Sequence, residues 1–232
     1  MKKKYEHLFF DLDHTLWDFK TNSRLTLIEI YKKFNLEELG NVNQDEFIQI
    51  YEKNNHQMWA EYRSGKMSKE TLRTERFRKS LANIGVKNKE LVELAADYYV
   101  DHSPYKTALF PGTIEVLSAL KEKYQLHIIT NGFEEIQSIK LKESKLDQYF
   151  SVIVTSEGAG AKKPHPAIFQ YSLKQAGGEA ANSLMIGDNQ LVDINGAAKV
   201  GMDGVFFNPD NEKTIIDPTY EINSLKQLLG FL

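Results

Sequence analysis

Phe9-Phe10-Asp11-Leu12-Asp13-His14-Thr15-Leu16 closes the first apolar run of the chain and leaves two carboxylates two residues apart at its end. Residues 7–12 read as a short buried strand, so Asp11 falls at a carboxyl end, where open α/β sheets hold ligands. Strand side chains alternate between faces, so Asp11 and Asp13 point the same way if the extended geometry continues. Two carboxylates on one side repel unless a cation or a shared proton intervenes. The pair therefore suits a metal site with divided labour, one carboxylate ionised to attack and the other carrying a proton. A solvated turn after a core strand explains the same residues equally well, because aspartate is common where strands end. The rest of the chain has to decide.

Outward from this stretch, two textures alternate. Short β-rich runs recur at residues 126–130, 151–155, 184–187 and 204–207, with helical patterns at 113–124, 134–142, 166–176 and 194–200. Strand and helix in alternation predict an α/β fold with a parallel sheet and right-handed crossovers. Residues 17–107 differ: helical periodicity covers 23–34, 45–63, 68–84 and 88–100. Asn43 and Ser68 suit helix N-caps there, and Gly85 suits a helix stop. The expected organisation is a core of residues 1–16 and 108–232, with an inserted all-helical cap at 17–107. Such a cap excludes water and supplies substrate contacts.

Composition narrows the function. The 232 residues are 41% hydrophobic and 26% charged, ordinary globular material able to bury a core. A net charge of -3 argues against a broad surface for a nucleic-acid polymer. Cysteine is absent, which removes disulfides, zinc thiolate sites and a cysteine nucleophile. Met1-Lys2-Lys3-Lys4 is basic, but the apolar run behind it stops at Asp11, so it reads as a solvated terminus of a cytoplasmic protein without membrane spans. His14, between Asp13 and Thr15, either influences its acidic neighbour or packs the loop; His7, His56, His102, His127 and His165 show no metal-ligand spacing and receive no catalytic role.

Three further segments fall at ends of expected core strands. Ile128-Ile129-Thr130-Asn131-Gly132 offers a hydroxyl, then backbone N–H groups at Asn131 and Gly132 that can cup an anionic oxygen; an ordinary Asn-Gly turn is the plainer reading. In Lys162-Lys163-Pro164-His165-Pro166, Pro164 restricts the backbone of Lys163, whose ammonium suits phosphate and transition-state charge, while Lys162 reads as a surface lysine. Met185-Ile186-Gly187-Asp188 runs a strand into an aspartate placed to complete a hard-cation site with Asp11, and Asp193 follows at a helix start. Complementarity to a helix N-terminus explains Asp193 alone but not Asp188.

In this order, Asp11-Leu12-Asp13-His14-Thr15, Thr130-Asn131-Gly132, Lys163-Pro164 and Gly187-Asp188 through Asp193 resemble the four motifs of the haloacid dehalogenase (HAD) superfamily of phosphohydrolases. The resemblance implies a Rossmann-like core, and the insertion after the first motif matches a C1-type helical cap. It further implies that Asp11 attacks phosphorus and that Asp13 protonates the leaving alkoxide, then activates water. Magnesium would be held by the Asp11 carboxylate, the Asp13 backbone carbonyl and Asp188, Thr130 and the amides after it would orient phosphate, and Lys163 would offset charge with Asp193 supporting it. Dehalogenation at carbon does not need Asp13, so the motifs favour phosphoryl transfer; a phosphomutase and a catalytically inactive binding module are the rivals.

General likeness, including Phe9 through Asp18 and the long helical insertion, is greatest to the YjjG/YfnB-type branch, which contains pyrimidine 5′-nucleotidases. The expected substrate is a small phosphorylated metabolite, with a sugar phosphate as the alternative to a nucleotide. Trp17, Phe19, Trp59, Tyr62 and Arg63 are candidates to stack on a base or touch a sugar, against the plainer reading that they pack the protein. Oligomeric state is not readable from the chain.

Overall fold

A computed structural model describes residues 5–232; the Met1-Lys2-Lys3-Lys4 terminus lies outside the described residues. The elements run β1 (His7–Phe10), α1 (Phe19–Lys33), α2 (Leu36–Gly40), α3 (Gln44–Arg63), α4 (Lys69–Asn83), α5 (Lys89–His102), α6 (Thr113–Lys121), β2 (Gln125–Thr130), α7 (Glu134–Glu143), β3 (Val152–Thr155), α8 (Ser156–Ala159), α9 (Pro166–Ala176), β4 (Ser183–Gly187), α10 (Asn195–Ala198), β5 (Asp203–Phe207) and β6 (Tyr220–Ile222). The strands form one parallel sheet in the order β3-β2-β1-β4-β5-β6. The chain thus builds outward from β1 through β2 and β3, then returns to β1's other side with β4. The reversal opens a crevice at the carboxyl ends of β1 and β4, the place where doubly wound sheets bind ligands.

Burial on both faces explains why β1 is apolar without alternation. Leu8 and Phe10 join one cluster with Val116 and Leu117 of α6, while Phe9 joins another with Ile168, Phe169 and Leu173 of α9. Each such aromatic or leucine, fully out of water, contributes about 1.5–3 kcal/mol. The strand ends at Phe10, before the expected residue 12, because the chain turns: the amides of Leu16 and Trp17 both donate to the Leu12 carbonyl, at 3.0 and 2.9 Å. His14 takes a left-handed φ of 64° in this turn. The turn runs through residues 14–16, and Asp13 pairs with Trp17 in an isolated bridge at its edge.

The described residues divide into two compact units, the chain through Phe19 together with Thr107–Leu232, and Lys20–Lys106. The division falls after Phe19, not after residue 16, because Leu16 and Trp17 are core residues of the α/β unit at 1% and 0% exposure. The helical unit has its own core of Phe47, Tyr51, Phe77, Leu81, Ala95 and Tyr99. Its helices start where the local chemistry dictates. Asn43, Ser68 and Asn88 side chains accept from the amides of Glu46, Thr71 and Leu91, each cap stabilising by about 1 kcal/mol. Gly85 ends α4 with a left-handed φ of 81°.

Three elements escaped the pattern reading, the short helices α2 and α8 and the edge strand β6. The π-helical turn Gln190–Ile194, capped by the Asn189 side chain, precedes α10 within the expected 194–200 helix region. Among the described residues no helix is long and apolar enough to cross a membrane.

Candidate active site

Asp11 lies one residue beyond β1, its amide donating to the Ile186 carbonyl at 2.9 Å, so its backbone is locked against the end of β4. Its carboxylate receives Lys163 Nζ at 2.6 Å. Lys163 is 2% exposed, donates also to the Ile129 carbonyl at 2.7 Å, and lies in close ionic contact with Asp193 Oδ1 at 2.7 Å rather than in an aligned hydrogen bond. Two of its three ammonium protons are thus hydrogen-bonded, and its charge is shared by two carboxylates. Burial opposes the charge on Lys163, but Asp11 and Asp193 outweigh burial and hold its pKa above the ordinary lysine value. The lysine reaches this place through Asn131, whose side chain accepts from the Lys163 amide at 2.8 Å and donates to its carbonyl at 2.9 Å. A cis peptide joins Lys163 to Pro164.

Asp188 follows β4. Its amide donates to Thr15 Oγ1 at 3.1 Å, and that hydroxyl donates to Asp188 Oδ1 at 3.2 Å, so the first motif orients the last. Asp193 is fixed by the Asn189 amide, which donates to its Oδ2 at 3.0 Å. Gly187 makes room for it: a Cβ there would stand 2.5 Å from Asp193 Oδ2. Carboxylate oxygens of Asp11, Asp188 and Asp193 all lie within 4.8 Å of one another.

With only Lys163 among them, these three acids leave two negative charges uncompensated in a buried setting. Burial pushes the Asp11 carboxyl well above the ordinary aspartate range; Lys163 pulls it back, and Asp193 and Asp188 raise it further. Asp188 is pushed up to about 7, by burial first and by Asp193 second. Acids that resist ionisation for want of positive charge, presenting hard oxygen ligands in one cluster, are the donor set a magnesium ion requires. The residues fit the metal.

Asp13 goes elsewhere. Its carboxylate is held by Lys140 Nζ at 2.5 Å and by Gln137 Nε2 at 2.8 Å, both from α7, and takes no part in the acidic cluster. Gln137 also donates to Thr130 Oγ1 at 2.7 Å, and the Gly132 amide donates to the same oxygen at 3.0 Å. The Gly132 amide, expected to cup phosphate, here donates to Thr130 in a two-residue turn. The Asn131 side chain is directed to Lys163; the expectation at this residue concerned its backbone amide.

The stacking candidates also need correction. Trp17 is 0% exposed, and its ring lies 4.2 Å from Lys140 Nζ, so it packs under a cation and cannot meet a base. Tyr62 is 5% exposed and stands edge-on to Trp59, at 5.5 Å between centroids. Trp59 and Arg63 on α3 remain partly exposed. Sequence reasoning missed Thr15, Gln137 and Lys140 as site residues. Thr15 lay inside the quoted motif without a role; the other two carry no motif signal.

The family model for haloacid dehalogenase-like hydrolase matches residues 8–207. The crystal structure of the HAD-hydrolase YfnB from Bacillus subtilis, bound to magnesium, superimposes with a TM-score of 0.89 at 30% identity, covering 98% of both chains. The pyrimidine 5′-nucleotidase YjjG of Escherichia coli is 29% identical, over 97% of this chain and 96% of its own. The pyrimidine 5′-nucleotidase PynA of Streptococcus pneumoniae is 31% identical, over 98% and 95%. Six parallel strands with the acids gathered at the β1 and β4 ends agree with these likenesses, and the chain belongs to the haloacid dehalogenase-like hydrolases.

Proposed function

We propose that this hydrolase is a magnesium-dependent phosphatase of small phosphate monoesters, working through an aspartyl-phosphate on Asp11, with pyrimidine nucleoside 5′-monophosphates as its substrates in the cytoplasm. The observation that carries the chemistry is the Asp11 carboxylate at the sheet's switch point, tied to Lys163 inside a cluster two positive charges short. Full-length likeness to two pyrimidine 5′-nucleotidases supports the substrate class.

Asp11, Asp188 and the Asp13 backbone carbonyl would hold magnesium, with Asp193 beside them. When bound, the ion supplies the charge that lets an anionic nucleophile meet a phosphate dianion. The chain's own residues do the rest. Asp11, kept in line by its amide bond to β4, attacks phosphorus as an ionised carboxylate. Lys163 favours its ionised form against burial and holds it in place. Thr130 Oγ1 already accepts two hydrogen bonds, so its own proton is left to donate, and a phosphate oxygen is the partner this geometry serves. Asp13 delivers a proton to the departing alkoxide oxygen and afterwards takes one from the water that cleaves the acyl phosphate.

The test is phosphate release with magnesium from a panel of nucleoside monophosphates and sugar phosphates. Preference for pyrimidine nucleotides is the expected result, and preference for sugar phosphates overturns the substrate class. Absence of any turnover by wild type, or unchanged turnover in Asp11→Asn, overturns the phosphatase reading itself. A phosphomutase would transfer phosphate between sugars without releasing it.

A further inference from the structure

The geometry points to a positioning pair on α7: we propose that Gln137 and Lys140, which stand apart from the acidic cluster of Asp11, Asp188 and Asp193, hold the acid/base carboxylate of Asp13 in place and couple it to the phosphate-binding hydroxyl of Thr130. The inference rests on the reading of Asp13 as acid/base given above.

Four observations carry it. Gln137 and Lys140 stand three residues apart, which on a helix puts them on one face, and both are buried at 1% and 5% exposure. They take both oxygens of one carboxylate, Lys140 Nζ on Oδ1 at 2.5 Å and Gln137 Nε2 on Oδ2 at 2.8 Å, so Asp13 cannot rotate without breaking a buried contact. Lys140 is itself fixed, its ammonium 4.2 Å from the Trp17 ring and 5.6 Å from the Phe19 ring. Gln137 shares its amide nitrogen between Asp13 and Thr130, and Gly132 is required for this, because a Cβ there would lie 2.2 Å from that nitrogen.

The two amide protons of Gln137 thus set two groups at once. One orients the carboxylate. The other occupies a lone pair of Thr130, and with the Gly132 amide on the second, the hydroxyl proton is forced outward as a donor. Asp13 is partly exposed and stands beyond β1, in an isolated bridge with Trp17 at the edge of a turn, so its carboxylate is held by the side chains that meet it. A displacement of an ångström at a proton donor costs on the order of a hundredfold in rate, which makes such a brace worth its buried polar groups.

A positioning role predicts a dependence on the leaving group that mere loss of packing does not. An alkoxide leaving group needs a proton from Asp13; p-nitrophenolate leaves without one. Hydrolysis of the aspartyl-phosphate needs Asp13 for either substrate. Lys140→Met and Gln137→Met are therefore expected to lower kcat for an alkyl phosphate by about tenfold to a hundredfold, with KM little changed. With p-nitrophenyl phosphate the same variants should release a rapid burst of nitrophenolate before slow turnover. Lys140→Arg, which keeps a cation over Trp17, should recover part of the loss.

Equal losses on both substrates without a burst, or no loss in folded variants of an active wild type, overturn the pair. Inactivity of wild type on every phosphate would instead remove the underlying phosphatase reading. Should Lys140→Met fail to fold, Gln137→Met leaves the ion pair intact and carries the same comparison.

Discussion

Asp11 and Asp13 are separated by one leucine, yet they occupy opposite electrostatic regions of the same unit. Around Asp11, two more carboxylates crowd a single buried lysine. Around Asp13, one carboxylate meets one ammonium and one amide, and the charges balance. The difference separates two requirements. A nucleophile that shares a divalent cation must sit where negative charge is in excess. A group that gives and takes protons needs a fixed direction and a neutral neighbourhood. Asp11 meets Lys163 in the loop before α9, while Asp13 meets Gln137 and Lys140 on α7.

The comparison breaks most visibly at its centre. Asp11→Asn removes the attacking group, and turnover is expected to fall by at least ~10³-fold, measured as phosphate release with magnesium. Asp13→Asn should cost about 10²–10⁴-fold while leaving phosphoenzyme formation from p-nitrophenyl phosphate measurable by its burst. Comparable abolition of the burst by both substitutions would show that the two acids do not divide the work.

Removing the cation on each side tests the same contrast in stability. Lys163→Met strands two buried acids, and unfolding in denaturant without metal should show a loss of about 3–5 kcal/mol, part of it restored by magnesium. Lys140→Met strands one partly exposed acid that retains Gln137, so its loss should be smaller and insensitive to magnesium. Equal losses, or equal rescue, would erase the distinction between the regions. Gly187→Ala perturbs the Asp11 side without touching charge. Its new Cβ would meet Asp193 Oδ2 at 2.5 Å, and a loss of about 1–3 kcal/mol is expected in the same assay.

How far these regions could be read from the sequence follows the same line. Asp11, Thr130 and Asp188 were legible because each stands at or near the end of an apolar run, and a doubly wound sheet gathers such ends, while Lys163 was singled out by Pro164 beside it. The strand boundaries on which this rests, such as β2 and β4, are set by buried β-branched and apolar residues that pattern reading finds. Gln137 and Lys140 were not legible, because the buried stripe of α7 is Gln137, Lys140 and Leu141, two of them polar. A search for an apolar helical face selects Ile136 and Ile139, which are only half-buried. Trp17 misled for the opposite reason. A tryptophan beside a catalytic motif suggests a stacking surface, but the turn at Leu12 folds it back into the core.

The smallest expected effect isolates the charge excess at Asp188 from the other buried titratable site. His127 sits 3.1 Å from His7, 0% exposed, with its pKa lowered to about 4 by burial and by its partner. The unfolded chain takes up that proton near the ordinary histidine value of ~6.5, so this site's stability contribution is intact above that pH and is lost as pH falls toward 4. Asp188, raised to about 7, does the reverse without metal: its protonated form favours the native state, and that contribution is lost as pH rises through 7. Magnesium competes with the proton at Asp188 but not at His127. The difference between melting temperatures with and without magnesium therefore cancels the histidine and reports the acid cluster alone. That difference should be small near pH ~5 and grow by a few degrees through about pH 7. A magnesium effect that is flat with pH, or larger in acid, would mean that the excess negative charge around Asp11 is not what draws the ion.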